Sequence, residues 1–330
     1  NHAGAGGPVA ITLDTINGTP ANGFDGTSTA VTGGFFGFNS FVGTGSTADT
    51  LTSTISANAD WVLNAASSVT TSGQTAMFSA IDSLAGADQA DRFEVANGAT
   101  GVPVAVDGGT GTNTLAGNDT TTAFSVTDAD EGSLTVGGLT LAFTNVGSLE
   151  GGLGADSFTF GTSGNLTGTI DGGTGAANTL TGDSDGNTLN VTGLNSGTID
   201  NGLGAVSFQR VQSVNGGGGV DVFVISDQLD GSIDVGAGAD DITLNAAANV
   251  GGNVAAGADD DVVTLDAGAT IGGTVTGDAG LDTFNLTGAG SVSADLDGGA
   301  DGDVFTLSST VVLSGSIVGG AGTDDLFKNA

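Results

Sequence analysis

Five aspartates in the C-terminal third, Asp240, Asp261, Asp282, Asp303 and Asp324, follow one another at intervals of 21 residues without a slip. The letters around them keep step. Two places after each stands a large apolar residue (Ile242, Val263, Phe284, Phe305, Leu326), and two places further on the first four units carry another (Leu244, Leu265, Leu286, Leu307). Period-two alternation is the pattern of a strand with one buried face. Upstream in each unit a second such pattern, large then small then large, runs through Leu229-Gly231-Ile233, Val250-Gly252-Val254, Ile271-Gly273-Val275, Val292-Ala294-Leu296 and Leu313-Gly315-Ile317. It predicts an inward column of small residues facing the large one. A unit this short cannot enclose a core of its own, so such repeats become stable only by stacking.

A longer period encloses the short one. Phe78, Phe143 and Phe208 lie 65 residues apart, as do Ile81, Val146 and Val211, then Leu84, Leu149 and Val214, then Asp91, Asp156 and Asp221 with Phe93, Phe158 and Phe223 behind them. Sixty-five is close to three times 21, so the simplest expectation is a triplet of diverged coils, with residues 43–327 forming one stack of about 13 coils. No segment shows the 3.6-residue period of a helix. The fold class expected is therefore all-β: a parallel β-solenoid (β-helix) with coils of about 21 residues, nested in a 65-residue triple-coil repeat. Residues 1–42 fall out of register and hold Phe24, Phe35, Phe36, Phe38 and Phe41. They are expected to be an irregular, aromatic-rich cap or assembly segment, ahead of a continuous solenoid over 43–330.

Charge narrows the function classes. Thirty-seven acidic residues against three basic ones (Arg92, Arg210, Lys328) give a formal charge of −34, a field that repels nucleic acid and anionic lipid and attracts cations. The absence of Cys removes disulfides, thiolate metal sites and thiol nucleophiles. The single histidine, His2, cannot build a His-rich metal site. No apolar run is long enough to span a membrane. The first residues show neither an initiator Met nor a secretory signal pattern, the expectation for a mature or excised piece of a longer precursor. Arg92 and Arg210 read as exposed strand residues paired with nearby acids, and no carboxylate pair stands out as a glycosidase site. No catalytic residues are assigned, and the chain is expected not to be an enzyme. The row Thr159, Thr243, Thr264, Asn285 and Thr306, three places after the repeat aspartates, is accounted for by β-propensity and cross-coil hydrogen bonding.

The corners carry the chemistry. Residues 151–156, 216–221 and 319–324 all read G-G-x-G-x-D, with an apolar residue two places later. This resembles the calcium-binding RTX (repeats-in-toxin) nonapeptide of secreted bacterial toxins, proteases, adhesins and surface-layer proteins. The family places such turns every nine residues on both sides of its coil, whereas here there is one per 21. The resemblance implies Ca²⁺ held by Asp156, Asp221, Asp240, Asp261, Asp282, Asp303 and Asp324, with Asp259, Asp278 and Asp301 as supplementary ligands in degenerate copies of the turn. A hard cation needs six to eight oxygens, and a glycine turn brings carbonyls close enough to supply some of them. Stacked carboxylates repel by about 1 kcal/mol per neighbour in water, so the row calls for counterions. The corners ending in Asn113 and Asn178 carry an amide in place of the acid and are expected to bind weakly or not at all.

Over 43–327 the chain also resembles the Gly- and Asp-rich β-strand repeat regions of giant bacterial surface proteins and filamentous adhesins. That implies a secreted, structural role at a bacterial cell surface: a self-assembling, head-to-tail subunit of a filament, matrix or surface layer, stabilised by Ca²⁺. The expected partner is another copy, with a joint formed by Phe35, Phe36, Phe38 and Phe41 on one subunit and the coil containing Ile317 and Leu326 on the next. The alternative is a secreted carbohydrate-binding or carbohydrate-modifying module, or an adhesin stalk, with a surface polysaccharide as partner.

Overall fold

The computed structural model describes residues 7–17, 23–293 and 295–328. His2 and the inward position expected for Ala294 lie outside them. The described residues form strands and no helix, in parallel ladders of a β-solenoid. They fall into two compact units: one runs to Gly154 and includes Gly164–Thr169, the other comprises Ala155–Ser163 and the residues from Ile170 on.

In the second unit each coil between Val222 and Ala321 has three strands. Val222–Ile225, Gln228–Leu229 and Ile233–Ala237 are followed by Asp241–Leu244, Asn249–Val250 and Val254–Ala258, and so on to Asp325–Lys328. The first strands pair in parallel, Asp241 with Val262, Val262 with Thr283, Thr283 with Val304 and Val304 with Asp325, each 21 residues on. Parallel, in-register stacking places like side chains over like. Ile242, Val263, Phe284 and Phe305 form one buried column and Leu244, Leu265, Leu286 and Leu307 another. The rings of Phe284 and Phe305 stack with centroids 4.9 Å apart and planes 6° apart.

The expected small column is placed differently. Gly231, Gly252 and Gly273 are only half-buried and Gly315 is exposed, because they occupy the corner between the second and third strands of a coil. Each brings its backbone close to the coil before it: a methyl on Gly273 would stand 2.7 Å from the Gly252 carbonyl. The large-small-large pattern runs through a bend. The inward small residues are Ala256, Gly277 and Gly298, which share a buried register position with Val235.

The first unit is less even. Ala10–Ile16, Phe24–Ser28 and Val31–Phe38 make an antiparallel meander whose first strand also pairs in parallel with Thr50–Ser53, so this segment is more regular than its aromatic content suggests. Further meanders run through Ala59–Leu63, Ser68–Thr71 and Gln74–Ser79, and through Thr122–Asp128, Glu131–Val136 and Leu139–Thr144. Parallel partners are consequently 22 residues apart where no meander intervenes, as for Arg92 and Thr114. They are 32 to 40 apart where one does, as for Asp60 and Arg92, Ala105 and Ala142, or Ala10 and Thr50. This corrects the triple-coil reading of the 65-residue period. Phe78, Phe143 and, in the second unit, Phe208 each sit on the last strand of a meander, so the period marks recurrence of a three-stranded insertion.

Candidate cation rail

In the second unit the repeat aspartates stand where a glycine-rich corner delivers the chain into the first strand. Positions four and two before each Asp take positive φ: Gly236 (105°) and Gly238 (133°) before Asp240, Gly299 (105°) and Asp301 (75°) before Asp303. Glycine adopts that conformation freely and other residues do so at a cost. The reversal turns the aspartate inward, and Asp221, Asp240, Asp261, Asp282 and Asp303 are at most 2% exposed.

One oxygen of each is accounted for. Oδ1 of Asp240 accepts the Asp221 amide at 2.7 Å, Asp261 that of Asp240 at 2.8 Å, Asp282 that of Asp261 at 2.9 Å, Asp303 that of Asp282 at 3.0 Å and Asp324 that of Asp303 at 3.1 Å. The result is an unbroken rail. The other oxygen, Oδ2, of Asp221, Asp240, Asp261, Asp282 and Asp303 is buried with no hydrogen-bond partner. A buried polar atom left in that state costs about 1 to 3 kcal/mol, more if charged. At three steps its surroundings can be mapped through the glycine five places earlier. A methyl on Gly216 would collide with both Asp221 Oδ2 and the Val235 carbonyl. On Gly277 it would collide with Asp282 Oδ2 and the Gly298 carbonyl, and on Gly298 with Asp303 Oδ2 and the Gly319 carbonyl. Two acceptors therefore converge on one place between successive coils, and no protein donor stands between them.

Electrostatics follow from this burial. Removal from water pushes Asp221 up to about 6, Asp261 to about 7 and Asp282 to about 6, with neighbouring carboxylates adding to the shift. Asp240 and Asp303 are raised for the same reasons. Asp259, Asp278 and Asp301 stand at exposed, positive-φ corner positions. They contribute to the repulsion felt by Asp240, Asp282 and Asp303 respectively.

Among the described residues no three acidic or histidine side chains converge on a point, so the supplementary aspartates and the rail are not drawn into one cluster. The two oxygens brought together at a step, one carboxylate and one main-chain carbonyl, are of the kind a hard cation takes. Residues that would hold it are the rail aspartates through Oδ2 and the carbonyl of the following coil. Asp156 is buried, with its amide on Asn178 Oδ1 at 2.9 Å, and Asp324 is half-buried.

The rail has members that the corner motif does not reveal. Asn187 accepts the Asp183 amide at 3.2 Å and gives its own to Asp221, yet no G-G-x-G-x pattern precedes it. In the first unit Asp91 and Asp49 hold equivalent places, receiving the amides of Ala59 and Val9 at 2.8 and 2.7 Å. Asp91 was visible in the 65-residue register, whereas Asp49 had no sequence signal.

The remaining features are surface ones. Arg92 pairs with Glu94 at 2.7 Å and Glu150 at 2.9 Å, and Arg210 pairs with Asp171. A shallow hollow of about 270 Å³ over Thr50, Ser83, Ala105 and Ala142 presents one acid, Asp107, already engaged by the Gly109 amide and Asn145 Nδ2. Phe35 and Phe41 are buried against each other with ring centroids 5.2 Å apart, while Phe36 and Phe38 are exposed. Ile317 is half-buried and Leu326 exposed. Among the described residues no helix is long and apolar enough to cross a membrane. Compared with family models, curated proteins and solved structures, the chain matches none.

Proposed function

We propose that the chain is a structural, extracellular β-solenoid of a bacterial surface filament, matrix or surface layer, with Ca²⁺ bound between successive coils along the rail. The observation that carries this reading is the run of five buried carboxylates, Asp221 to Asp303, each with an oxygen that no protein donor reaches. Bound Ca²⁺ would supply the positive charge that a chain of formal charge −34 lacks. The protein's part is to align carboxylate and carbonyl oxygens in register and to exclude water from them. A ligand that binds only the folded form raises its stability. Thermal melting of the full chain in millimolar Ca²⁺ and in excess EGTA tests this: a clear drop in Tm on chelation is expected, and identical curves overturn it.

Assembly is the second element of the proposal. Phe36 and Phe38 lie exposed on the strand Val31–Phe38, and Val318, Leu326 and Phe327 lie exposed on Ile317–Ala321 and Asp325–Lys328. Contact between unlike apolar surfaces propagates from copy to copy instead of closing. The joint is accordingly narrowed to Phe36 and Phe38 against this coil, Phe35 and Phe41 being spent inside the chain. The double variant Phe36→Ser/Phe38→Ser should remain folded and sediment as a monomer where the unaltered chain forms polymers. Equal polymerisation of both removes Phe36 and Phe38 from the joint.

A further inference from the structure

Three rail steps are built with asparagine, and they show what the aspartate steps lack. Asn113 accepts the Asp91 amide through Oδ1 at 3.0 Å, while its Nδ2 donates to the Asn145 carbonyl at 2.9 Å. Asn178 accepts the Asp156 amide at 2.9 Å and donates through Nδ2 to the carbonyls of Arg210 at 3.0 Å and Gly172 at 2.7 Å. Asn187 accepts the Asp183 amide at 3.2 Å and donates through Nδ2 to the Gly216 carbonyl at 3.1 Å. At Asn113 and Asn178, Oδ1 does what the aspartate Oδ1 does and takes an amide of the preceding coil, whereas Asn187 Oδ1 takes an amide four residues earlier in its own corner. In all three, Nδ2 meets a carbonyl of the following coil.

The meeting place is the same one. A methyl on Gly108 would collide with Asn113 Nδ2 and the Asn145 carbonyl, and one on Gly182 with Asn187 Nδ2 and the Gly216 carbonyl. On Gly277 the colliding pair is Asp282 Oδ2 and the Gly298 carbonyl. Geometry is shared and polarity is not. An amide puts a donor against the carbonyl, whereas a carboxylate puts a second acceptor there, which costs the desolvation of both unless something positive intervenes.

We propose that the rail has two kinds of step: an aspartate step takes a cation between coils, and an asparagine step needs none because its Nδ2–H···O=C bond joins the coils directly. This rests on the Ca²⁺ reading above and deepens it by assigning which positions bind. The ion-dependent stretch is Asp221 to Asp303. Asn113, Asn178 and Asn187 are ion-independent couplings, and exchanging one residue type for the other converts a step.

The test uses the full chain, Ca²⁺ as the only added ligand, and two variants of opposite sense. Asp282→Asn is expected to bind one Ca²⁺ fewer per chain in a calorimetric titration and to melt higher than the unaltered chain in EGTA. Asn178→Asp is expected to bind one more, to melt lower in EGTA, and to recover when Ca²⁺ is added. An unaltered chain that binds no Ca²⁺ overturns the reading on which this rests. An unaltered chain that binds Ca²⁺, with Asp282→Asn binding the same number or melting lower in EGTA, overturns the two-step assignment alone. Should Asn178→Asp fail to fold even with Ca²⁺, conversion in that direction is refuted, and Asp282→Asn still decides whether an amide replaces the ion.

Discussion

Asp91 in the first unit and Asp282 in the second occupy the same kind of rail position and differ in one bond. Both accept a main-chain amide on Oδ1, that of Ala59 for Asp91 and that of Asp261 for Asp282. Asp91 also receives the Ala87 amide on Oδ2 at 2.8 Å, while Asp282 Oδ2 receives nothing. Strand length accounts for the difference. Upstream of Asp91 the strand Ser83–Ala85 is short, and the chain beyond it is free to turn an amide inward. Upstream of Asp282 the strand Val275–Ala279 is longer, and the next amide, that of Gly280, reaches toward the Ala300 carbonyl of the following coil. Asp259 likewise gives its amide to Ala279 at 2.7 Å. A more regular stack gains ladder bonds between coils and loses the local donors that would have satisfied its buried acids.

Removing the ion gives the largest expected contrast. In hydrogen exchange, peptides covering 221–303 should lose protection when EGTA replaces Ca²⁺, and peptides covering 83–95 should not, because Asp91 is satisfied by the protein itself. Equal loss in both regions would show that the comparison misplaces the dependence.

Exchanging acid for amide comes next. Asp91→Asn would turn an NH₂ group toward the Ala87 amide, donor against donor, at a cost of about 1 to 3 kcal/mol. Urea denaturation of Asp91→Asn and Asp282→Asn, both in EGTA, should therefore move the midpoints in opposite directions. Shifts of the same sign would break the distinction between the two sites.

Acidity probes a second contrast, between the rail of the second unit and Asp49, because burial raises Asp91 as it raises Asp282. In EGTA, Asp221, Asp261 and Asp282 titrate near 6 to 7 when folded and near 3.8 when unfolded. Below the unfolded value both states are protonated and nothing is lost. As pH rises through 6 to 7 the folded chain must carry buried charges, so the second unit is most stable in acid and weakens toward neutrality. Asp49 has the opposite sign. Burial pushes it upward, but the amides of Val9, Thr44 and Gly45 and the Thr44 hydroxyl outweigh that and hold it below its ordinary value. Its contribution is present at neutral pH and lost as pH falls through that lowered value. Exchange protection followed from pH 7 to 4 should rise over 221–303 while amides near Asp49 gain nothing.

The sequence revealed the solenoid because stacking in register demands like residues at like positions. Ile242, Val263, Phe284 and Phe305 repeat because each lies on the last. What it concealed were bends and insertions. Leu229, Gly231 and Ile233 alternate as a strand would and yet turn a corner, since period two does not register a change of direction. Phe78, Phe143 and Phe208 gave the spacing of the meanders but not their antiparallel pairing, which leaves the same alternation. The rail was legible as a row of aspartates. Its inward orientation was not, and neither was the kinship of Asn187 with Asp221, because the first depends on where the preceding coil places its amide and the second on where the following coil places its carbonyl.

The smallest expected effect concerns Asp278, which the corner motif offered as a supplementary ligand. It holds φ at 70° in a register column where its neighbours are Gly257 and Gly299, and a non-glycine residue there costs about 1 kcal/mol or somewhat more. Its charge is also among those that raise Asp282. Asp278→Gly removes both strain and repulsion, which should raise stability in EGTA by roughly 1 kcal/mol, an upper figure because glycine also loosens the unfolded chain. If Asp278 is only a strained corner residue, the Ca²⁺ count in titration stays unchanged and the gain shrinks when the rail is loaded. If it completes a site, the variant binds one ion fewer and gains nothing from the relief of strain once Ca²⁺ is present.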